Sequence, residues 1–404
     1  MTQIAKPQAG ARVAVAIVCN TRAPYRMHVH RRIARELPQI HLLRIFTHAH
    51  DQVAWAEQGS GDPDIILFGE KESSLAQGKL RFVRREWAKG GRIIRLLEQQ
   101  DVKAVVVEGY TDACRMRIIR WCHGRGVPCF LWGDSNIKGD RARGVKALIK
   151  RVYLGHVIRS VTGVFACGSL GQAYFAKYGA RPGQTYLYPV EPDYELITEL
   201  SAAAIESTRD RFALNPDRKR IIYSGRLVLE KRVDLLIAAF ARIAADRPDW
   251  DLVIVGTGPM RETLEAALPP HLRGRILWTG FLDRQEVISA LYRLSDVLVL
   301  PSDYEPWSLV INEAAAAGLA IVSSDAVGAA AELVRDGVNG RVFEAGNLDQ
   351  ITACLLDVTN EGRAAAMKSA SPGLLAAWRQ KADPVQGLRT ALQSVNVIPR
   401  DALP

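Results

Sequence analysis

Short apolar runs rich in β-branched residues recur through the first half of the chain, at residues 13–18, 40–46, 64–68, 104–107, 128–132 and 163–166. Stretches with helical spacing lie between most of them, at 26–37, 112–124 and 143–159. Continuous apolar strands alternating with amphipathic helices predict a parallel sheet covered on both faces. The pattern then starts again: strands are predicted at 220–223, 252–255, 275–278, 297–300 and 320–323, and helices at 233–245, 285–294 and 309–317. The proline-containing run 187–192 breaks the rhythm, and 193–218 reads as a polar connector with an early helix. Each half has a helix–Gly–strand junction, Gly126-Val127-Pro128 and Gly318-Leu319-Ala320, where the glycine fits the left-handed position that ends a helix. The expected fold class is α/β, with two doubly wound Rossmann-like parallel-sheet domains, at 1–190 and 191–375, and a cleft between them. Ligands in such sheets bind beyond the carboxyl ends of the strands.

The 404 residues suffice for two cores, and 48% apolar with 24% charged residues is ordinary for a soluble globular protein. No apolar run approaches the roughly 20 residues that span a bilayer. Residues 1–20, with Lys6, read as a leader into a first buried strand rather than a secretory signal. The six cysteines form no C-x-x-C pair. Cys122-His123 near Cys114 and Cys129 raises a zinc reading, but the spacing fits reduced, buried thiols of a cytoplasmic protein better. Charge is uneven. Residues 1–200 hold 30 Lys or Arg against 18 Asp or Glu, so the first half carries +12 and the rest −2 of the net +10. An anionic partner for the first half, or a merely solvated basic face, would account for that.

Four segments of the second half carry candidate chemistry. After the predicted strand at 297–300 comes a loop containing Glu305, Pro306 and Trp307. A helix then starts near Ser308, a residue type suited to the N-cap, and runs through Leu309, Val310 and Glu313. The free amides at such a start form an anion site strengthened by the helix dipole. An acid one turn in can accept two hydrogen bonds from a ribose diol, and an acid before the helix can hold sugar hydroxyls. The plainer alternatives are a surface role for Glu313 and a capping role for Glu305. The second segment, Gly225-Arg226-Leu227 with Glu230-Lys231, sits at another strand-to-helix turn. Gly225 admits close approach to the main chain, and Arg226 with Lys231 would neutralise a diphosphate as it leaves. The third, Gly256-Thr257-Gly258, lacks the further glycine of a dinucleotide fingerprint, since Arg261 stands there. The fourth, Gly280-Phe281-Leu282, either lines a base pocket or packs in the core.

Residues 221–343 resemble the donor-binding domain of the family 4 glycosyltransferases of the GT-B fold. The four blocks occur in order, and Ser324-Asp325, Gly328 and Gly337-Val338-Asn339-Gly340 extend the match. The resemblance implies that Arg226 and Lys231 bind the diphosphate, Glu313 the ribose and Glu305 the transferred sugar. The amides of Trp307 to Val310 would hold phosphate and sugar oxygens. It also implies a retaining reaction with no metal or other cofactor, and a helix near 376–395 that crosses back to the first domain. A nucleotide sugar is then the donor partner, and a glycan or polyprenyl-diphosphate-linked molecule the acceptor bound by the first domain. Other enzymes of the same fold, an epimerase or a phosphorylase, and a non-catalytic glycan- or nucleic-acid-binding module are the alternatives. The paired cations and acids disfavour the epimerase, the lack of a lysine in a Schiff-base context disfavours the phosphorylase, the complete donor motif speaks against the binding module, and no nucleic-acid partner is expected.

The chain departs from this family in its first half. Where many relatives have a Gly-Gly turn, it reads Asn20-Thr21-Arg22-Ala23-Pro24-Tyr25-Arg26, so Arg22 and Arg26 are either cationic contacts or surface arginines. Where many relatives have a histidine, it has Asp134, a candidate catalytic residue that binds a hydroxyl, or else a helix cap. Two basic stretches, 79–95 and 138–159, predict cationic helix faces with apolar edges, suited to peripheral association with an anionic inner membrane leaflet.

Overall fold

The computed structural model describes residues 12–49, 64–69 and 82–400. These form two compact units: one runs up to Val190 and resumes at Ala382, and the other is Glu191–Lys381. Lys6 and residues 79–81 of the first basic stretch lie outside the described residues.

The first unit is a seven-stranded parallel sheet. Its strands are β1 (Val13–Cys19), β2 (Ile40–Phe46), β3 (Ile65–Leu67), β4 (Ala104–Glu108), β5 (Cys129–Gly133), β6 (Gly163–Ala166) and β7 (Thr185–Leu187), in the order β3-β2-β1-β4-β5-β6-β7. Its crossover helices are α1 (Pro24–Glu36), α2 (Val83–Gln99), α3 (Ala113–Arg125), α4 (Gly144–Arg159) and α5 (Ser169–Lys177). Strand residues alternate between the two sheet faces. On one face Ala14, Ala16, Val18, Val105, Val107, Leu131 and Val164 meet Ile93, Leu97, Ile118, Cys122, Leu154 and Ile158 of α2, α3 and α4 in a single core. Asp112 caps α3 by accepting from the Arg115 amide, and Gly126 ends it at φ 67°, as the glycine junction predicted.

The second unit repeats the plan with α6 (Glu195–Thr198), α7 (Ala202–Arg211), β8 (Lys219–Ser224), α8 (Val233–Ile243), β9 (Trp250–Val255), α9 (Arg261–Ala266), β10 (Ile276–Gly280) and α10 (Gln285–Arg293). It continues through β11 (Val297–Leu300), α11 (Leu309–Ala317), β12 (Ala320–Ser324), α12 (Ala330–Leu333), β13 (Gly340–Phe343), α13 (Leu348–Val358) and α14 (Arg363–Lys381). Its parallel strand order is β10-β9-β8-β11-β12-β13. Gly318 closes α11 at φ 75°, matching the second junction.

Three features differ from the sequence pattern. Residues 193–218 hold two helices, α6 and α7, not one. The short edge strands β7 and β13 have too few residues to show a period. The terminal helix expected at 376–395 is two helices. Residues up to Lys381 complete α14 in the second unit, and Asp383 then accepts from the Val385 and Gln386 amides to start α15 (Pro384–Ser394). Pro384 cannot continue a preceding helix but suits a first helical turn. Helix α15 packs on α1 and β7 of the first unit, with Arg32 2.8 Å from Asp383 and the Tyr186 hydroxyl 2.7 Å from Ser394. All six cysteines are buried and unbridged, His123 is exposed, and among the described residues Cys122 and His123 join no cluster of ligand-type side chains. Among the described residues no helix is long and apolar enough to cross a membrane.

Candidate active site

In the second sheet the chain reverses direction of progress between β8 and β11, which are neighbours. Loops leaving two such strands turn to opposite sides and open a crevice at the carboxyl ends. The Gly225–Lys231 turn follows β8, and the Pro301–Ser308 loop follows β11, so the topology brings two of the four sequence blocks to this point. The third block supports the first. Gly225 donates to the Val255 carbonyl and Leu227 to that of Thr257, each at 3.0 Å, while the Met260 amide returns to Leu227 O at 3.0 Å. A Cβ on Gly256 would come within 2.0 Å of Gly225 O, and one on Gly258 within 2.4 Å of Leu227 O. These two positions are glycine because one loop lies directly on the other's main chain. The fourth block joins through Gly256 N–H to Gly280 O at 2.9 Å. Phe281 is 53% exposed, which corrects the core-packing alternative for it, whereas Leu282 is buried.

The charged side chains come together across these loops. The Lys231 ammonium donates to Glu305 Oε1, and Ser302 Oγ donates to the same oxygen at 3.0 Å. Glu305 is buried, and its main chain is fixed by a parallel bridge to Val327, so it is not a helix cap. Arg226 is half exposed, with its guanidinium 3.7 Å from Glu230. The buried Tyr223 hydroxyl donates to Arg226 O at 3.0 Å and sets the turn, and burial followed by the Glu305 charge raises its pKa. Behind the turn, Arg232 pairs with Asp234 and Asp303, and Asp303 N–H donates to Glu230 O at 2.9 Å.

Ser308 stands at the N-cap of α11 but at φ 82°, and its side chain makes no capping bond. The expected capping is therefore absent: a capping serine sits in extended, negative-φ backbone, and Ser308 does not. Among the described residues the amides of Trp307, Ser308, Leu309 and Val310 donate to no protein acceptor. Four N–H groups and the positive end of a nine-residue helix thus meet beside Glu305. Trp307 is buried against Trp378, ring centroids 5.9 Å apart, which anchors the loop. One turn into α11, Glu313 is half-buried. Tyr292 donates to its Oε2 at 3.0 Å and Gln285 to its Oε1 at 3.3 Å. Burial raises the Glu313 carboxyl pKa, and these two hydrogen bonds oppose the rise. Sequence reading missed Ser302, Gln285 and Tyr292. The last two stand seven apart on one face of α10, and that spacing was the available signal.

The first-unit candidates sit in a different setting. Arg26 Nε lies 2.8 Å from Glu108 Oε2 with both side chains nearly buried, so Arg26 is neither a surface arginine nor an unengaged cation. Burial raises the Glu108 carboxyl pKa, which Arg26 counters. Arg22 is half-buried. Asp134 follows β5 and reaches solvent, so the crowding by neighbouring protein that lifts its pKa stops short of full enclosure. It caps no helix. Asn136 does, accepting from Gly139 N–H. Arg26, His30, Glu108, Trp132 and Tyr188 line a small recess at the carboxyl ends of β4 and β5, where Cys19, His30 and Glu108 bring ligand-type atoms within 4.8 Å of one another. The Arg26 guanidinium supplies positive charge to that cluster.

Residues 204–371 match the family of glycosyl transferases group 1. An uncharacterized glycosyltransferase of Methanocaldococcus jannaschii is 37% identical over 133 residues, 33% of this chain and 33% of that protein. A GDP-mannose-dependent alpha-(1-6)-phosphatidylinositol monomannoside mannosyltransferase of Mycolicibacterium smegmatis is 32% identical over 166 residues, 39% of this chain and 43% of that protein. The chain thus matches about a third to two-fifths of the length of such curated relatives. In structure it is similar to Anabaena HepE in complex with UDP, at 16% identity and a TM-score of 0.67, covering 96% of this chain and 100% of that one. Two doubly wound units with this likeness are the GT-B fold, and within it residues 204–371 are similar to the glycosyl transferases group 1 family.

Proposed function

We propose that the chain is a glycosyltransferase that takes a sugar from a nucleoside diphosphate donor bound in the second unit. It retains anomeric configuration and requires no metal. The acceptor, taken by the first unit, is a glycan or a polyprenyl-diphosphate-linked molecule of cell-envelope or exopolysaccharide assembly. The protein works in the cytoplasm, at an anionic membrane surface. One observation carries the proposal: a Lys–Glu pair, Lys231 with Glu305, lies beside the uncapped start of α11 at the sheet's switch point. Amides, cations and acids in this order suit phosphates, a leaving charge and hydroxyls respectively. The UDP bound to the HepE structure and the GDP-mannose dependence named for the mannosyltransferase support a nucleotide-sugar donor.

In this scheme the diphosphate accepts from the Trp307 to Val310 amides. Lys231 turns from Glu305 to the phosphate, which frees Glu305 to accept sugar hydroxyls. Glu313 accepts the ribose diol while Tyr292 and Gln285 hold its orientation. As the C1–O bond breaks, negative charge grows on the terminal phosphate oxygen, and Arg226 with Lys231 stabilises it most when it is largest. That same oxygen takes the acceptor's proton on the face it leaves, so no carboxylate nucleophile is needed on the opposite face, unlike in retaining glycosidases. Asp134 takes an acceptor or donor hydroxyl.

A thermal-shift series with UDP-, GDP-, dTDP- and ADP-sugars tests this, since a ligand of the folded state alone raises Tm. One of them should raise Tm in the wild type and raise it less in Glu313→Ala. No shift with any of the four, with no sugar transfer, would overturn the proposal.

A further inference from the structure

Helix α4 carries apolar residues on two opposite sides. Leu154, Val157 and Ile158 turn inward and are buried. Val145, Leu148, Ile149 and Val152 follow the i, i+3, i+4, i+7 spacing of one helix stripe, and each is between 62% and 73% exposed. The other exposed large apolar side chains of the described surface are scattered singly or in pairs. An outward apolar row of this kind is unusual in a soluble unit and marks a surface for contact. The helix is held firmly in that pose: Lys150 reaches Asp140 at 2.7 Å, and the Tyr153 hydroxyl donates to Tyr110 O at 2.5 Å.

The charges around the row select the contact. On the helical projection Lys146 flanks it on one side and Arg151 on the other, and both are exposed. Residues 138–159 contain seven Lys or Arg and one acid, Asp140. That acid is taken up by Lys150, Lys177 and Tyr178 inside the unit. The outward surface is therefore an apolar row between cations with no acid of its own. A bilayer carrying anionic headgroups has the matching layers, since acyl chains receive the row and phosphates meet the flanking cations. The other basic stretch does not offer this. On α2, Lys89 is fully buried on Glu86 and Thr47 O, and Trp87 lies under Arg117.

We propose that the first unit docks on anionic lipid bilayers through α4, inserting Val145, Leu148, Ile149 and Val152 below the headgroups and setting Lys146 and Arg151 on the lipid phosphates. This rests on the membrane association proposed above and names the surface that makes it. Insertion adds a component that salt does not remove, unlike adsorption by charge alone.

Co-sedimentation of the whole chain tests it, with vesicles of phosphatidylcholine and of phosphatidylcholine mixed equally with phosphatidylglycerol. The wild type should bind the mixed vesicles and keep part of that binding in high salt. Leu148→Glu with Ile149→Glu should lower vesicle affinity about tenfold or more. Lys146→Glu with Arg151→Glu should abolish the preference for phosphatidylglycerol. Both variants should keep the wild-type Tm and nucleotide-sugar shift, so failure of docking and failure of the donor assignment give separate signals. Wild-type affinity in the Leu148/Ile149 variant would overturn the proposal. So would a wild-type dimer in size-exclusion chromatography that this variant turns to monomer without change in vesicle binding.

Discussion

In the first unit the cations near the strand ends are used internally. Arg26 is held by Glu108, Arg115 by Asp112 and Asn20, and Lys89 by Glu86. In the second unit Lys231 is held by the Glu305 carboxylate, Arg226 stands half exposed, and four amides next to them have no protein acceptor among the described residues. Yet the two sheets share one strand plan, with the turn-back between their first and fourth strands, so each provides the same crevice. What separates them is how tightly charge is committed before any ligand arrives. A polyanion can be received where the positive groups have weak or few prior partners. Where those groups are buried in pairs, they hold the fold together.

The comparison can be broken by mutation, starting with the largest effect. Lys231→Ala and Arg226→Ala should each cut turnover at saturating donor by about 10²–10³, the range for removing a donor to developing charge. Unchanged turnover in both would place the leaving group elsewhere. Arg26→Ala should act on stability instead. It strands the buried Glu108, which costs about 3 kcal/mol, and denaturant titration would show the loss while donor affinity stays constant. If Arg26→Ala instead abolished donor binding without destabilising, the contrast between the units would collapse. Glu313→Ala should weaken donor binding about tenfold to a hundredfold with a lesser effect on turnover, by losing two hydrogen bonds to the ribose. Tyr292→Phe should do so about fivefold, through loss of one orienting bond worth about 1 kcal/mol. Isothermal titration with the best donor would rank them.

A further effect, of a different kind, is a pH slope. Burial first, then Arg44 and Arg26, lowers the His30 pKa from 6.5 to about 3. The unfolded chain therefore takes up this proton before the folded one does. Stability from neutral His30 is complete above pH 6.5 and declines as pH falls toward 3, by about 1.4 kcal/mol per unit. His30→Gln should flatten that part of the stability profile, and an unaltered slope would assign the acid sensitivity to other groups.

The candidate-site blocks of the second unit were legible as local elements: a strand, a short turn with its glycine or cation, then a helix. Their convergence was legible only through the switch-point rule, since Lys231 and Glu305 lie 74 residues apart and meet because β8 and β11 are neighbours. Ser308 shows the limit of composition. A serine before a helix reads as a cap, but its backbone angle, set by the loop packed around Trp307, removes the cap and leaves the amides open. Pairing in the first unit was hidden for a similar reason. Arg26 and Glu108 are 82 positions apart, and nothing local distinguishes a paired arginine from a solvated one. The outward row on α4 was legible only in part, as the apolar edge of a cationic helix face at 138–159. Apolar residues at helical spacing normally face a core, and only accessible surface reveals that this helix has a second apolar side.

The path of the chain has its own consequence. The second unit is an insertion: the polypeptide leaves the first unit at Val190 and supplies it with one more helix, α15, after Ala382. During synthesis, all of the second unit emerges from the ribosome before the piece that seals α1 and β7. Until then Arg32 lacks Asp383 and Tyr186 lacks Ser394. A nascent chain halted near residue 381 would therefore hold a completed second unit beside a first unit still missing its last wall.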